Sequence, residues 1–361
     1  MAYTPVNKSS DYFDTKIYTG NGSSQTLDMD NLGLLWMKNR TETSNHCLFD
    51  SVRGGHYTSA PGPILRSNGT TTAGGSDITS AYGITFGSSS STIGSDGGGY
   101  NYNQNSKSYV GWQWRANGTG SANTDGDINS TVSANTTSGF SIVSYTGNGS
   151  NDQTVGHGLG ARPTAWFIKR LDTATDDWIV YHQGLGATQS ADWYDDTYMY
   201  LNSNSAKMGS VNAGTGNPTT SVFYVGSDNK TNASGNKYIA YVFVEKTGYS
   251  KFGHYVGNGN ADGPFCFTGM KPSFLLIKPS SYSNSWLMLD NKRPGFNITN
   301  DRLEADGNAA ENDSLDYVDL LSNGFKIRTS NAHPNTNTGT LIYMAFGQSI
   351  VGSNNIPATA R

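Results

Sequence analysis

The chain has 361 residues, a formal net charge of −4, 14% charged and 12% aromatic residues. There is no basic stripe to neutralise phosphates, which argues against nucleic acid as a partner, and no apolar run approaches the roughly 20 residues that cross a bilayer. Few charges with many aromatics are the opposite of a disordered composition, and 44 Gly among short apolar runs read as many short strands joined by polar turns.

Residues 1–10 form a polar leader without the apolar core of a secretory signal, so the chain is expected to be made in a cytosol and not exported by that route. A repeat unit then spans 11–117. It opens on Tyr18-Thr-Gly-Asn-Gly22, and the motif returns as Tyr145-Thr-Gly-Asn-Gly149 and Tyr255-Val-Gly-Asn-Gly259. Asn-Gly tolerates positive φ at both positions, so each motif predicts a type I′ hairpin turn between two strands. Each is followed by an apolar strand ending in Lys38, Lys169 or Lys278, with Trp36, Trp166 and Leu276 as expected buried equivalents. A second strand follows at an offset read as gapless: His46 to Asp50, Trp178 to Tyr181 and Trp286 to Asp290. That alignment sets Cys47 against Trp178, and Arg53 and Arg293 against Gly184. The two arginines are expected to pin turns.

Within the first unit, Thr70 to Ser108 is rich in Gly, Ser and Thr. Tyr82 to Phe86 keeps strand alternation and matches Ser221 to Val225 and Gly324 to Arg328. The Gly-rich stretch around Tyr100 reads as a surface loop. Closing strands follow at Ser108 to Trp114, Lys237 to Phe243 and Thr340 to Phe346, apolar on both faces and therefore central.

Residues 118–127 read as a linker. Asn123, Asp125 and Asp127 alternate oxygens as a calcium loop begins, but no closing Glu follows. The second unit spans 128–247 and the third 248–361, the latter including a C-terminal tail. A period of roughly 110–130 residues is domain-sized, and too long for a solenoid unit of about 20–50. Helical signals are scarce, and the best is Leu315 to Leu321. The predicted fold is all-β: three tandem antiparallel β-sandwich domains of jelly-roll or lectin-like type.

Chemistry is sparse. Gly156-His-Gly-Leu-Gly160 lacks the dinucleotide spacing and reads as a turn. The six His are scattered, and Cys47 and Cys266 read as small buried hydrophobes rather than a disulfide. Carboxylates cluster at Asp192, Asp195 and Asp196, at Glu304 and Asp306, and at Glu311, Asp313, Asp316 and Asp319; glycoside hydrolysis needs two facing a cleft, but these clusters sit on polar stretches that differ between copies and read as solvated. No residue is assigned a catalytic or metal-binding role, and no cofactor is expected. Aromatic faces beside Asp and Asn can hold sugars, so Trp193, Tyr194, Asp195 and Asp196 form the candidate glycan patch. Trp178, Tyr198 and Tyr200 stand beside it, with Tyr100 as a second candidate.

The residues Phe13-Asp-Thr-Lys-Ile-Tyr-Thr-Gly-Asn-Gly22, Phe49-Asp-Ser-Val-Arg-Gly54 and Ser108-Tyr-Val-Gly-Trp-Gln-Trp114 resemble a tandem β-domain of tail-fibre and virion structural proteins in marine bacteriophages. The segments Ser130 to Gly147, Val155 to Gly160 and Trp178 to His182, and the ending Met344 to Arg361, carry the same resemblance. It covers nearly the whole chain and brings no catalytic residues. It implies a virion protein on the particle exterior, made in the host cytoplasm, with other virion proteins and host-surface glycan as partners and homo-oligomerisation, a trimer being usual for fibres. No heptads or Gly-x-y run are present, so attachment is expected through the domain surface, leader or tail. Capsid decoration, or depolymerisation of a polysaccharide, are the alternative roles.

Overall fold

The computed structural model describes residues 4–29, 32–56, 58, 62–74, 81–88, 90–96, 99–172, 175–186, 197–209, 217–295 and 297–351. It is nearly all β, in several antiparallel sheets.

The first copy contains β1 (Phe13–Thr19), β2 (Gln25–Leu27), β3 (Gly33–Asn39), β4 (Cys47–Asp50), β5 (Ile84–Thr85), β6 (Ser91–Ile93) and β7 (Ser108–Arg115). The second contains β8 (Ser121–Asn123), β9 (Ser130–Asn135), β10 (Phe140–Thr146), β11 (Gln153–Gly156), β12 (Ala165–Arg170), β13 (Ile179–His182), β14 (Thr197–Tyr200), β15 (Met208–Gly209), β16 (Val222–Val225) and β17 (Lys237–Phe243). The third contains β18 (Ser250–Val256), β19 (Phe265–Phe267), β20 (Met270–Pro279), β21 (Leu287–Asp290), β22 (Leu303–Glu304), β23 (Val318–Leu321), β24 (Gly324–Ile327) and β25 (Thr340–Ser349).

One kernel recurs in the main sheets: β1-β7-β3-β4, β10-β17-β12-β13 and β18-β25-β20-β21. In each, the closing strand lies between the opening strand and the Lys strand, and its two-faced apolar pattern follows from that place. A smaller sheet accompanies each kernel: β2-β6-β5, β11-β16 and β19-β24-β23. Between the two layers lies a private core. Tyr18, Leu35, Cys47 and Ile93 share one in the first copy, Val143, Trp166 and Phe223 in the second, and Tyr255, Leu275 and Phe325 in the third.

The opposite faces of the three main sheets converge on a fourth core. Trp36, Trp112 and Trp114 of the first copy meet Phe167, Trp178, Tyr241 and Phe243 of the second and Phe274, Leu276, Trp286, Met344 and Phe346 of the third. At its centre Trp114 packs edge-on against Phe243 (6.4 Å), Phe274 (5.6 Å) and Phe346 (5.6 Å). Aromatic edge-to-face contacts at such distances stabilise beyond the area they bury. The three copies therefore share one core and are not beads on a string.

Several expectations are corrected by the register. The Tyr-x-Gly-Asn-Gly motif does not make a hairpin. The strand before it pairs with the closing strand and the strand after it joins the smaller sheet, so the motif is a corner between layers. Positive φ falls on Gly22 (68°), Gly149 (77°) and Gly259 (64°), whereas Asn21, Asn148 and Asn258 are not among the positive-φ residues. Each corner is held by a second, fully buried Asn. Asn103, Asn232 and Asn335 accept through Oδ1 from the motif asparagine N–H, at 3.2, 2.8 and 2.9 Å.

The offset after the Lys strands is not gapless. Leu34 faces Asp50, Ala165 faces His182 and Phe274 faces Asp290, so the second copy carries one extra residue there. Trp178 accordingly takes the place of His46 and Trp286 rather than of Cys47, and Leu185 rather than Gly184 takes that of Arg53 and Arg293. Phe167, not Trp166, is the equivalent of Trp36 and Leu276 in the shared core; Trp166 points into the private one. β6 rather than β5 matches β16 and β24, because it pairs with the strand after the motif.

The stretch 118–127 carries β8, which extends the second main sheet. The predicted helix at Leu315 to Leu321 is instead β23, where Val318 and Leu320 are buried and Asp319 and Leu321 are less so, a period of two. The leader is not wholly polar in its packing, since Val6 is buried in the shared core.

Candidate functional site

The seams between copies are built from equivalent residues joined head to tail. Trp178 donates its Nε1–H to Arg66 O and Trp286 donates to Tyr200 O, both at 2.9 Å. His46 occupies the same place in the first copy. Its Nδ1 accepts from Trp36 Nε1 at 2.8 Å, so its proton sits on Nε2, which lies 3.0 Å from Glu304 O and donates to it. The direction is first copy to third, third to second and second to first: the ring is closed. Burial depresses His46 to about 3 and keeps it the neutral donor this bond needs.

A second set of seam bonds uses equivalent positions at two seams and is replaced at the remaining one. Trp112 Nε1–H donates to Asp290 Oδ2 and Tyr241 O–H donates to Asp50 Oδ2, each at 2.9 Å. Those carboxylates are fully buried and compensated by arginine: Arg53 Nε to Asp50 Oδ2 and Arg293 Nε to Asp290 Oδ2, both 2.6 Å. At the third seam Asp becomes His182, Arg becomes Leu185 and the aromatic donor becomes Met344. His182 Nδ1 accepts from Gly184 N, so Nε2–H donates to Tyr343 O at 3.1 Å. Burial lowers this ring to about 4. A charged triple has been exchanged for a neutral one.

The strand-ending lysines are also structural. Lys278 Nζ donates to the carbonyls of Ser205 (2.7 Å), Asn204 (3.0 Å) and Asn284 (2.6 Å), and Lys169 Nζ to Thr70 O (2.9 Å) and Asp176 O, so both tie one copy to the next. Lys38 Nζ donates to Asn39 O at 2.6 Å within its own copy. All three are buried, and burial lowers each to about 8.

The predicted site residues fare unevenly. Trp193, Tyr194, Asp195 and Asp196 lie outside the described residues, as does Asp192. Their neighbour Trp178 is wholly buried in the shared core. Tyr198 and Tyr200 are strand residues packed against the second copy's private core, with Lys230 Nζ 6.0 Å from the Tyr200 ring centroid. Tyr100 is partly buried against the first copy's core, and its carbonyl accepts from Cys47 Sγ at 3.3 Å. One part of the residue therefore packs, while the rest stays open to solvent.

Cys47 and Cys266 are free and buried, as expected of small hydrophobes. Asp127 Oδ2 accepts from Thr154 N (3.1 Å) and Oγ1 (2.7 Å), which spends one oxygen of the would-be calcium loop on pinning β11. His157 Nδ1 accepts from Leu159 N in a turn with positive φ at Gly158 and Gly160. Among the described residues no group of three or more His, Cys, Asp or Glu could hold a metal. No described helix is long and apolar enough to cross a membrane.

Two members of the described acidic clusters have structural roles. Glu311 receives Arg40 Nη2 at 2.5 Å and Arg293 Nη1 at 2.9 Å, bridging first and third copies. Asp306 Oδ1 accepts from Trp286 N at 2.8 Å, the bond that Asn202 makes to Trp178 N (2.8 Å) and Asn68 to His46 N (3.1 Å). Burial raises Asp306 to about 6, the signature of an acid standing where its sister copies use an amide.

Sequence reasoning missed the corner asparagines, although Asn103, Asn232 and Asn335 each precede the closing-strand residues Tyr109, Tyr238 and Leu341 by the same interval. It also missed Thr15, which breaks the apolar set formed by Ile142 and Phe252 at the same register.

No curated protein and no solved structure matches the chain. A single family model, described as Domain of unknown function (DUF7483), matches residues 8–349 and so runs through all three copies. Its span coincides with the closed ring rather than with one repeat, and the chain belongs to that family.

Proposed function

We propose that this chain is a non-enzymatic structural protein of a bacteriophage virion, carried on the particle exterior as a tail fibre or adhesin that contacts host-surface glycan. The observation that carries this reading is the destination of the perturbed groups. His46, His182, Lys169 and Lys278 bond across seams, and Lys38 and Asp306 bond backbone nearby. Shifted ionisable groups often mark catalysis, but structural networks shift them too. Here each of these six has a structural partner.

Each copy is read as a lectin-like sandwich of jelly-roll type, its smaller sheet forming the outer layer. Three sheets closed around one core in a single chain supply the threefold body that fibres ordinarily build from three chains, so one chain stands in for a homotrimer. Several such bodies per particle would let weak sugar contacts sum to useful avidity. The test is binding of the purified protein to host cells and their isolated surface polysaccharide. Saturable binding supports the adhesin; absence of binding to both overturns it. Release of reducing ends from the polysaccharide would replace it with a depolymerase.

The ring itself favours a second reading, a capsid decoration or head-fibre protein. A body with threefold internal repetition can seat coaxially on a threefold position of a shell. Antibody labelling of intact virions separates the two, on the tail for the adhesin and over the head for the decoration protein.

A further inference from the structure

The three seams use equivalent positions, and the one between the first and third copies encloses a cavity. Where the first copy meets the third, Asp14, Thr15, Lys271, Asn291, Lys292 and Gln348 line a cavity of about 160 Å³. That is room for several waters, each taking about 30 Å³ of liquid, or for one sugar ring. The sister seams show what normally fills this place. Asn291, Gln183 and Ser51 are equivalents, each following the residue that faces the Lys strand, with N–H donated to Ser273 O, Thr164 O and Gly33 O. Gln183 Nε2 donates to Phe252 O, and Ser51 Oγ donates to Gly118 O at 2.7 Å, so both side chains are spent inside their seams. Asn291 Oδ1 is buried and has no partner.

Opposite it the pattern breaks again. Ile142 and Phe252 are fully buried apolar residues of the shared core, whereas their equivalent in the first copy is Thr15. Thr15 is 4% exposed, and its Oγ1 has no partner. A buried hydroxyl and a buried carbonyl oxygen without partners are costly to keep, and a native structure keeps them where something else satisfies them. The charged residues of the lining are Lys271, Lys292 and Asp14. Gln348 is held in place by Ser9, whose N and Oγ donate to its Oε1 at 3.1 and 2.8 Å.

We infer that this cavity is a binding site for one acidic sugar residue, a uronate. Its carboxylate would face Lys292. Its hydroxyls would serve Thr15 Oγ1, Asn291 Oδ1 and Asp14, a mix of charge pairing and hydroxyl bonding that suits a monoanionic polyol. The inference rests on the glycan-contact reading above and gives it a sugar class.

The test is calorimetric titration of the whole protein with glucuronate and, separately, with glucose. Glucuronate is expected to bind with a Kd in the millimolar range, and glucose at least about tenfold more weakly. Thr15→Ile installs the second copy's side chain, and should abolish glucuronate binding while the thermal midpoint holds or rises. Lys292→Met should weaken glucuronate binding at least about tenfold and leave the weak glucose signal unchanged. No glucuronate binding by the parent protein, or binding unmoved by both substitutions, overturns the site and leaves ordered water as its occupant. Host-cell binding by Thr15→Ile separates the two inferences. Cells still bound by a variant blind to glucuronate keep the adhesin and sink the pocket, if the parent also ignores glucuronate. Glucuronate bound by a parent that ignores cells keeps the pocket and sinks the adhesin.

Discussion

Trp112 donates its indole N–H to Oδ2 of Asp290 over 2.9 Å, tying the first copy's central strand to the third copy's β21. The oxygen it reaches also takes Arg293 Nε at 2.6 Å, and the guanidinium lies 5.5 Å from the Trp112 ring centroid. Trp112→Phe keeps an aromatic ring and removes one donor to a buried charge. It should destabilise the protein by about 2–3 kcal/mol, measured by urea unfolding. A loss under about 0.5 kcal/mol would mean the bond contributes nothing net.

The exchanged seam offers a stricter test of equivalence. His182→Asp places a carboxylate where no arginine waits, and should cost about 3–5 kcal/mol at pH 7. Adding Leu185→Arg and Met344→Tyr rebuilds the triple found at the Asp50 seam, and should recover at least half of that loss. Additive damage from the three changes would show that the seams are not interchangeable.

Acid should loosen the ring through its histidines. His46 and His182 are held neutral, at about 3 and about 4 against 6.5 in an unfolded chain. The folded pKa values are lowered, so between these limits the unfolded state binds protons that the folded state refuses. Stability therefore rises with pH across that window and falls as pH drops from about 6.5 toward 4, by roughly 3 kcal/mol per ring at the lower end. Urea midpoints at pH 4, 5, 6 and 7 check the slope. His46→Gln keeps a donor to Glu304 O and should remove about half of it while costing about 1–2 kcal/mol at pH 7.

Asp306→Asn should stabilise. Asp306 titrates near 6, above its ordinary value of 3.8, so its folded form is penalised at pH 7 by the burial of a charge. Asn68 and Asn202 already make the same bond in the sister copies. The expected gain is about 1–2 kcal/mol at pH 7, shrinking at pH 5 where the acid is mostly protonated. Equal gains at both values would assign the effect to packing instead.

Much of this fold is legible in one sequence because it is written three times. The Lys-ended strands, the two-faced closing strands and the corner motifs all lie where the repeat puts them, since period-two burial leaves a local trace. Pairing across layers leaves none. Nothing near Gly22 announces that β1 and β2 belong to different sheets, so the Asn-Gly rule gave a hairpin. The extra residue before Trp178 shifted an alignment that only register could repair, and it hid the kinship of Asp50, His182 and Asp290. Closure of the ring rests on partners more than 150 residues apart, such as Tyr241 and Asp50, and no local period reaches that far. The seam with the cavity was half visible: Thr15 departs from Ile142 and Phe252 once the copies are aligned on Tyr18, Tyr145 and Tyr255.

The central claim is that three copies form one body around one core. Differential scanning calorimetry tests it most directly. A shared core in which Trp114 touches Phe243, Phe274 and Phe346 should melt in a single transition. Its calorimetric and van't Hoff enthalpies should agree, at about 0.7 kcal/mol per residue over the whole chain. Trp114→Ala should lower that one transition without splitting it. Three separable transitions, each with the enthalpy of roughly a third of the chain, would show three independent domains and contradict the ring.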